Sequence, residues 1–311
     1  MYSLILAKSR PTLVFVIICL VTAVFARNCS AQLSPSDQLF YANAKPYLEE
    51  PSEKLIAQIP ELQGIRPVAD QQLLSLIVAS TGHAVEAYFH NLVDVIAHED
   101  IDQEILNAHG AIKRKHHKKY DYLILLHPDE LPPRLEEYRI DADGNRVQQT
   151  GRSEGFLITS GFAFGCIHFH PDFRSESTFR YLGEQVLDSR DTFVVAFAQQ
   201  PAKARPLESV SIDVFGKNTP VLHQGIAWID QSSYQILRLR TDLLVPRLDL
   251  RLNMETTEVV FEQFSLPDVP SPLWLPRKVT VSADYDGHSY LNQHLYSDYQ
   301  RFRVAVRMVP Q

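Results

Sequence analysis

Leu273-Trp-Leu-Pro-Arg-Lys-Val-Thr-Val-Ser-Ala-Asp-Tyr285, Asp286-Gly287, then His288-Ser-Tyr-Leu-Asn-Gln-His-Leu-Tyr-Ser-Asp-Tyr-Gln-Arg-Phe-Arg303 is the stretch that decides the fold. Two runs of alternating apolar and polar residues flank an Asp-Gly pair. Such a pair accepts the positive φ values of the two-residue turn whose twist suits antiparallel strands. The reading is a long β-hairpin. Working toward the N-terminus, Glu255 to Phe264 is a further strand. Gly225 to Ile229 and Tyr234 to Arg240 pair across Asp230-Gln-Ser-Ser233. Phe179 to Leu187 and Thr192 to Gln199 pair across Asp188-Ser-Arg-Asp191. Successive hairpins without long intervening helices predict an antiparallel meander.

The same period runs further back. Leu135 to Ile140 reads as a strand closed by the turn residues Asp141-Ala-Asp-Gly-Asn145. Its glycine stands fourth and no closing glutamate follows, so the string lacks the spacing of a calcium loop. Val93 to Ile101 begins a strand that Tyr120 to Leu126 resumes. The cationic run Lys113-Arg114-Lys115-His116-His117-Lys118-Lys119 is expected between them as a solvated hairpin tip. Phe156 to Phe169 fits neither period: it is rich in glycine for a helix and too continuously apolar for an exposed strand.

Ahead of the strands lies one clear helix. Asp70 is a plausible N-cap, and Leu74, Ile77, Val78, Thr81, Val85, Tyr88, Phe89 and Leu92 recur at three- and four-residue intervals. They place a single apolar stripe toward a core. Residues 32–69 carry Pro35, Pro46, Pro51, Pro60 and Pro67, too many for a long helix. Residues 1–31 differ again. Lys8 and Arg10 precede the uncharged run Leu13 to Ala26, and Cys29-Ser30-Ala31 supplies small residues for cleavage near Ala31. These features describe a secretory signal, and an exported, most simply periplasmic, protein. The division is therefore a signal peptide (1–31), a proline-rich segment (32–69) and one helix-plus-sheet domain (70–311).

Charge and cysteine content narrow the function. Loss of residues 1–31 removes three basic residues and no acid, taking the net charge from −7 to −10. That sign disfavours nucleic acid as a partner. It also leaves Cys166 alone, so no internal disulfide supports the mature fold.

Three strings in the C-terminal half carry a resemblance: Gly225-Ile-Ala-Trp-Ile-Asp-Gln-Ser-Ser-Tyr-Gln-Ile-Leu-Arg-Leu239, Leu273-Trp-Leu-Pro276 and Tyr296-Ser-Asp-Tyr-Gln-Arg-Phe302. In this order they resemble the outer-membrane lipoprotein-sorting superfamily, the periplasmic lipoprotein carriers and their relatives, over roughly residues 93–303. The stretches Phe179 to Gln185 and Val194 to Gln199 are similar to uncharacterised exported bacterial proteins of that architecture. The resemblance implies a mainly β fold with α: a strongly curved antiparallel sheet, an incomplete barrel, with a helix against its concave face. It implies a hollow that holds acyl chains, hence a hydrophobic ligand or a lipidated protein as partner. Alternation then nominates Tyr181, Phe193, Phe197, Trp228, Ile236, Phe261, Val279 and Tyr290 as its apolar lining. A shift of one residue turns any of them outward.

Other chemistry is sparse. In Cys166-Ile-His-Phe-His-Pro171, His168 and His170 at i, i+2 share one face if the segment is a strand, with Cys166 as a third metal ligand. No spacing signals a fourth ligand, and Cys166 reads equally well as a small buried apolar residue. His98-Glu99 and His116-His117 lack partners at metal spacing. Lys113, Arg114, Lys115, Lys118 and Lys119 are candidates for contact with anionic headgroups or an acidic protein. No nucleophile elbow, zinc-protease string or phosphate loop is present, and no cofactor is implied. The expectation is a non-enzymatic binding protein. Its alternatives are an interaction or sensor module with a filled core, and an exported metalloenzyme built on His168 and His170.

Overall fold

The computed structural model describes residue 33 and residues 35–127, 134–147, 151–153, 155–159, 161–205, 211–214, 217–267 and 269–302. The expected signal peptide and its cleavage site lie outside the described residues. Residues 32–311 form one unit, so the proline-rich segment belongs with the sheet. In chain order come α1 (Pro35–Tyr41), α2 (Ser52–Gln58), β1 (Arg66–Pro67), α3 (Leu74–Asn91), β2 (Val95–Leu106), β3 (Ile112–His127) and β4 (Arg134–Ile140). Next are β5 (Gly151–Ser153), β6 (Phe156–Ile158), a 3-10 helix (Phe162–Phe169), β7 (Ser177–Leu187), β8 (Arg190–Gln199), β9 (Ser211–Val214) and β10 (Lys217–Pro220). The last are β11 (His223–Asp230), β12 (Ile236–Leu243), β13 (Leu252–Phe264), β14 (Leu273–Tyr285) and β15 (His288–Arg301).

Eleven of these strands form one antiparallel sheet in the order β1-β7-β8-β11-β12-β13-β14-β15-β2-β3-β4. The expected meander holds within β7–β8, β11–β15 and β2–β4. It breaks where the C-terminal β15 pairs with β2, setting Tyr296 opposite Glu99. The edge strands β1 and β4 do not pair with one another, so the sheet is open: a mainly β fold with an incomplete barrel and a helix. The Asp286–Gly287 turn has φ of 51° and 73°, both positive as that turn type requires. Tyr285 faces His288 across it.

Each face of the sheet has its own cover. On the outer face, Leu33, Tyr41, Leu48, Leu55, Ile59 and Leu62 of the proline-rich segment pack with Leu182, Val194, Ala196, Ile226 and Trp228. On the inner face, α3 and the 3-10 helix pack with Val195, Phe197, Leu239, Val259 and Val279. Strand β11 is thus buried on both faces and reads as a continuous apolar run, as doubly covered strands do. Gly82 on α3 lets helix and plug approach closely, since a Cβ there would lie 2.9 Å from the Phe169 carbonyl oxygen.

Several expectations need correction. Helix α3 begins at Leu74 rather than after Asp70; Asp70 Oδ1 accepts the Gln72 amide at 2.9 Å in a turn ahead of it. The cationic run is not a hairpin tip but the interior of β3. The turn falls at residues 107–111, where Asn107 Oδ1 accepts the amides of His109 and Ala111. The run stays in the ladder because β2 opposes it with acids: Glu104 faces Lys115, Asp102 faces His117 and Asp100 faces Lys119. Lys115 Nζ lies 3.1 Å from both Asp102 and Glu104, and Lys119 Nζ lies 3.3 Å from Asp100. Phe156 to Phe169 divides into β6 and the 3-10 helix around Gly161, whose φ is 90°.

Candidate functional site

Directly opposed residues on antiparallel strands share a face, so register assigns every side chain. Phe197 and Val195 face inward on β8, as do Leu239 on β12, Val259 on β13 and Val279 on β14. Of the nominated lining, Tyr181, Phe197, Ile236, Phe261 and Val279 belong to this inner cluster, and Phe193 packs against it. Tyr290 lies opposite Ala283 and joins a small inner cluster with Ile105 and Phe156. Trp228 does not join them. It opposes Val194 and Arg238, lies on the outer face, and donates its Nε1–H to Gln185 Oε1 at 2.8 Å. The alternation that nominated it was one residue out of step.

The inner lining is closed over by the chain itself. Phe197 and Val279 have 0% exposure, so no solvent-sized space touches them. The His168 ring lies against Phe197, tilted by 32° with centroids 4.8 Å apart, and Phe169 meets the same ring at 5.6 Å. The Tyr88 hydroxyl of α3 donates to the Ala163 carbonyl at 3.3 Å, joining helix to plug.

Two buried carboxylates hold this arrangement from the β4 side. Glu137 accepts the backbone amides of Gly161, Phe162 and Ala163 at 2.9, 3.0 and 2.9 Å, and the Tyr122 hydroxyl donates to it as well. It thereby satisfies the amides that a helix start leaves without partners. Burial pushes its pKa up, against these donors. Glu99 on β2 accepts Arg139 Nε at 2.5 Å, Arg139 Nη2 at 2.8 Å and the Tyr296 hydroxyl at 2.7 Å, with His294 Nδ1 at 2.9 Å. Burial works to raise the Glu99 pKa, but Arg139 and His294 outweigh it and hold it at about 2. A charge buried this deeply persists only when paired and hydrogen-bonded, as here. The sequence offers no local signal for either carboxylate, because their partners come from β3, β4, β15 and the start of the 3-10 helix.

The metal candidates separate. Cys166 and His168 lie in the 3-10 helix, where positions i and i+2 point apart, and His170 follows it outside the helix. His168 packs on Phe197, His170 stands 5.9 Å from the Phe89 ring, and the Cys166 thiol donates to the Ala163 carbonyl at 3.8 Å. Burial lowers the His168 pKa to about 3 and raises the Cys166 thiol to about 12, so one stays neutral and the other protonated. Among the described residues no group of three or more histidine, cysteine or acidic side chains is arranged to hold a metal ion. No described helix is long and apolar enough to cross a membrane.

No family model matches the chain, and no curated protein matches it. Solved structures do. A domain provisionally described as an outer membrane lipoprotein-sorting protein from Vibrio parahaemolyticus is 12% identical, covers 74% of this chain and 93% of its own, and has a TM-score of 0.39. A DUF1329 family protein from Desulfovibrio piger is 11% identical, with 72% and 91% covered and a TM-score of 0.40. A LolA superfamily protein from Nitrosomonas europaea is 11% identical, with 72% and 94% covered and a TM-score of 0.34. They include the superfamily that the C-terminal motifs resemble.

Proposed function

We propose that this chain is an exported binding protein of the bacterial envelope that takes a hydrophobic ligand, or the acyl part of a lipidated protein, on the inner face of its open sheet. One observation carries the reading. The apolar inner face is covered by one 18-residue helix and one eight-residue 3-10 helix, neither of which shares a strand ladder with the sheet. Such a cover can lift without breaking sheet hydrogen bonds. Acyl chains would replace its apolar contacts, each methylene contributing about 0.8 kcal/mol. The nominated residues Tyr181, Phe193, Phe197, Ile236, Phe261 and Val279 would meet the ligand. Trp228 would not. The cationic residues of β3 stand apart from this proposal, since Lys115 and Lys119 are paired to acids of β2.

The zero exposure of Phe197 and Val279 favours a second reading, an interaction module whose concave side is permanently filled. Native mass spectrometry of protein purified from a lipid-containing host separates the two. The binding reading expects acyl-bearing species to co-purify, or added fatty acid to be retained in the gas phase. Bare protein under both conditions leaves the filled module.

A further inference from the structure

A cleft of about 420 Å³ lies between the proline-rich segment and the end of β8. Its size falls within the roughly 300–1,000 Å³ of small-ligand sites. The buried side chains of Tyr41, Leu48 and Leu244, all members of the outer apolar cluster, line it. With them stand Gln38, Thr178, Gln199 and Gln200, and Glu49 is the one charged residue in the described lining.

The amides of this cleft are half used. Gln199 is 6% exposed; its Oε1 accepts the His223 amide at 2.9 Å, while its Nε2 has no acceptor among the described residues. That nitrogen is not one of the fully enclosed polar atoms, so it is reached from the cleft. Gln38 donates Nε2 to the Leu33 carbonyl at 3.1 Å, and its Oε1 is unused. The Gln200 and Thr178 side chains add further donors and acceptors. Native folds satisfy nearly all buried polar groups, so an amide as buried as Gln199 with one half idle points to a missing partner.

Other glutamines of the molecule show what such amides do here. Gln71 accepts the Tyr181 amide and donates to the Tyr181 carbonyl, both at 2.9 Å. Gln224 accepts the Tyr47 amide at 2.7 Å and donates to the Leu243 carbonyl at 3.2 Å. Each supplies the donor and acceptor that a neighbouring strand would bring. The cleft offers the same groups to a backbone from outside. No cation lines it to select an anion. A sugar ring would need an open aromatic face, and Tyr41 is 2% exposed with its hydroxyl held between the Leu222 amide and Arg247.

We propose that this cleft binds a short extended peptide of small, uncharged residues. Its carbonyls accept from Gln199 Nε2 and Gln200, an N–H donates to Gln38 Oε1, and its side chains rest on Leu48 and Leu244. The site packs against the outer apolar cluster, opposite the face proposed for a hydrophobic ligand, and stands independently of that ligand.

Titration of the nitrogen-15-labelled protein, followed through the side-chain amide signals of its glutamines by NMR, tests it. The probes are acetyl-Ala-Ala-Ala-amide, the same peptide N-methylated at every alanine, and N,N′-diacetylchitobiose. The first should move the Gln199 and Gln200 signals saturably. The methylated peptide should bind at least fivefold more weakly, and the disaccharide should leave both signals in place. Ala202→Trp, at an exposed position of the lining, should weaken peptide binding at least tenfold. Ala111→Trp, in the exposed β2–β3 turn, should leave it within twofold. No saturable shift with the first peptide, equal affinity for its methylated form, tighter binding of the disaccharide, or binding undiminished by Ala202→Trp overturns the assignment.

Discussion

Glu137 of β4 accepts the backbone amide of Ala163 at 2.9 Å, so an edge strand of the sheet grips the first turn of the 3-10 helix that plugs its own concave side. Gly161 and Phe162 donate to the same carboxylate. Lifting the plug would leave a buried acceptor and three backbone donors to be rehydrated together, which couples them into one latch.

The latch gives the first prediction. Glu137→Gln replaces one acceptor oxygen with a donor that opposes the amides of residues 161–163. Stability should fall by about 1–3 kcal/mol, the usual cost of a buried polar group losing its partner. Amide hydrogen exchange should accelerate in residues 161–169 while β11 to β14 keep their protection. Uniform acceleration over the whole sheet would show that the plug has no independent motion.

Acid should act through Glu99. Its folded pKa of about 2 lies below the roughly 4.3 of an unfolded glutamate, so its contribution is present above about pH 4 and is lost as pH falls toward 2. The loss amounts to about 3 kcal/mol. Urea unfolding between pH 5 and pH 2 measures it. Glu99→Gln should be less stable at pH 7, because Arg139 is left buried without its counter-ion, and should show a flatter response across that interval. Parallel pH curves for the two proteins would contradict the pairing.

Trp228 divides the two faces. Trp228→Phe removes the hydrogen bond to Gln185 and some volume beneath the proline-rich segment. A loss of about 1–3 kcal/mol is expected in chemical denaturation. Acyl-ligand affinity should change less than twofold, because the residue faces away from the proposed site. A large affinity loss in a fully folded variant would place the ligand on the outer face.

The metal alternative is decided by elemental analysis. Protein purified without chelator should contain no stoichiometric zinc. His168→Ala should lose about 2–4 kcal/mol through lost packing on Phe197. Zinc at one equivalent in the parent and none in the variant would restore the metal reading.

Much of the sheet was legible because its signals are local. Asp286–Gly287 fixes a hairpin by turn chemistry, and the α3 stripe returns as Ile77, Val78, Thr81, Val85, Tyr88 and Phe89 buried on one side. What escaped depends on partners distant in sequence. Lys113 to Lys119 reads as a solvated tip until Asp100, Asp102 and Glu104 are known to lie across the ladder. The face that Trp228 takes is not legible in the sequence, because β11 is buried on both faces and a doubly covered strand has no polar side to set its phase. The proline-rich segment gave no hint of which face its leucines cover. The carboxylate network was hidden for the same reason: Arg139 lies 40 residues from Glu99, and His294 lies 195 away.

A photoactivatable fatty acid, with peptide mapping of its adducts, reports whether a hydrophobic ligand lies on the concave face. Labelling is expected on β8, β12, β13 and β14 at inward positions such as Phe197, Val259, Phe261 and Val279, competed by unlabelled fatty acid. Adducts confined to outward positions such as Leu182, Val194 and Trp228, or labelling that does not compete, would contradict it.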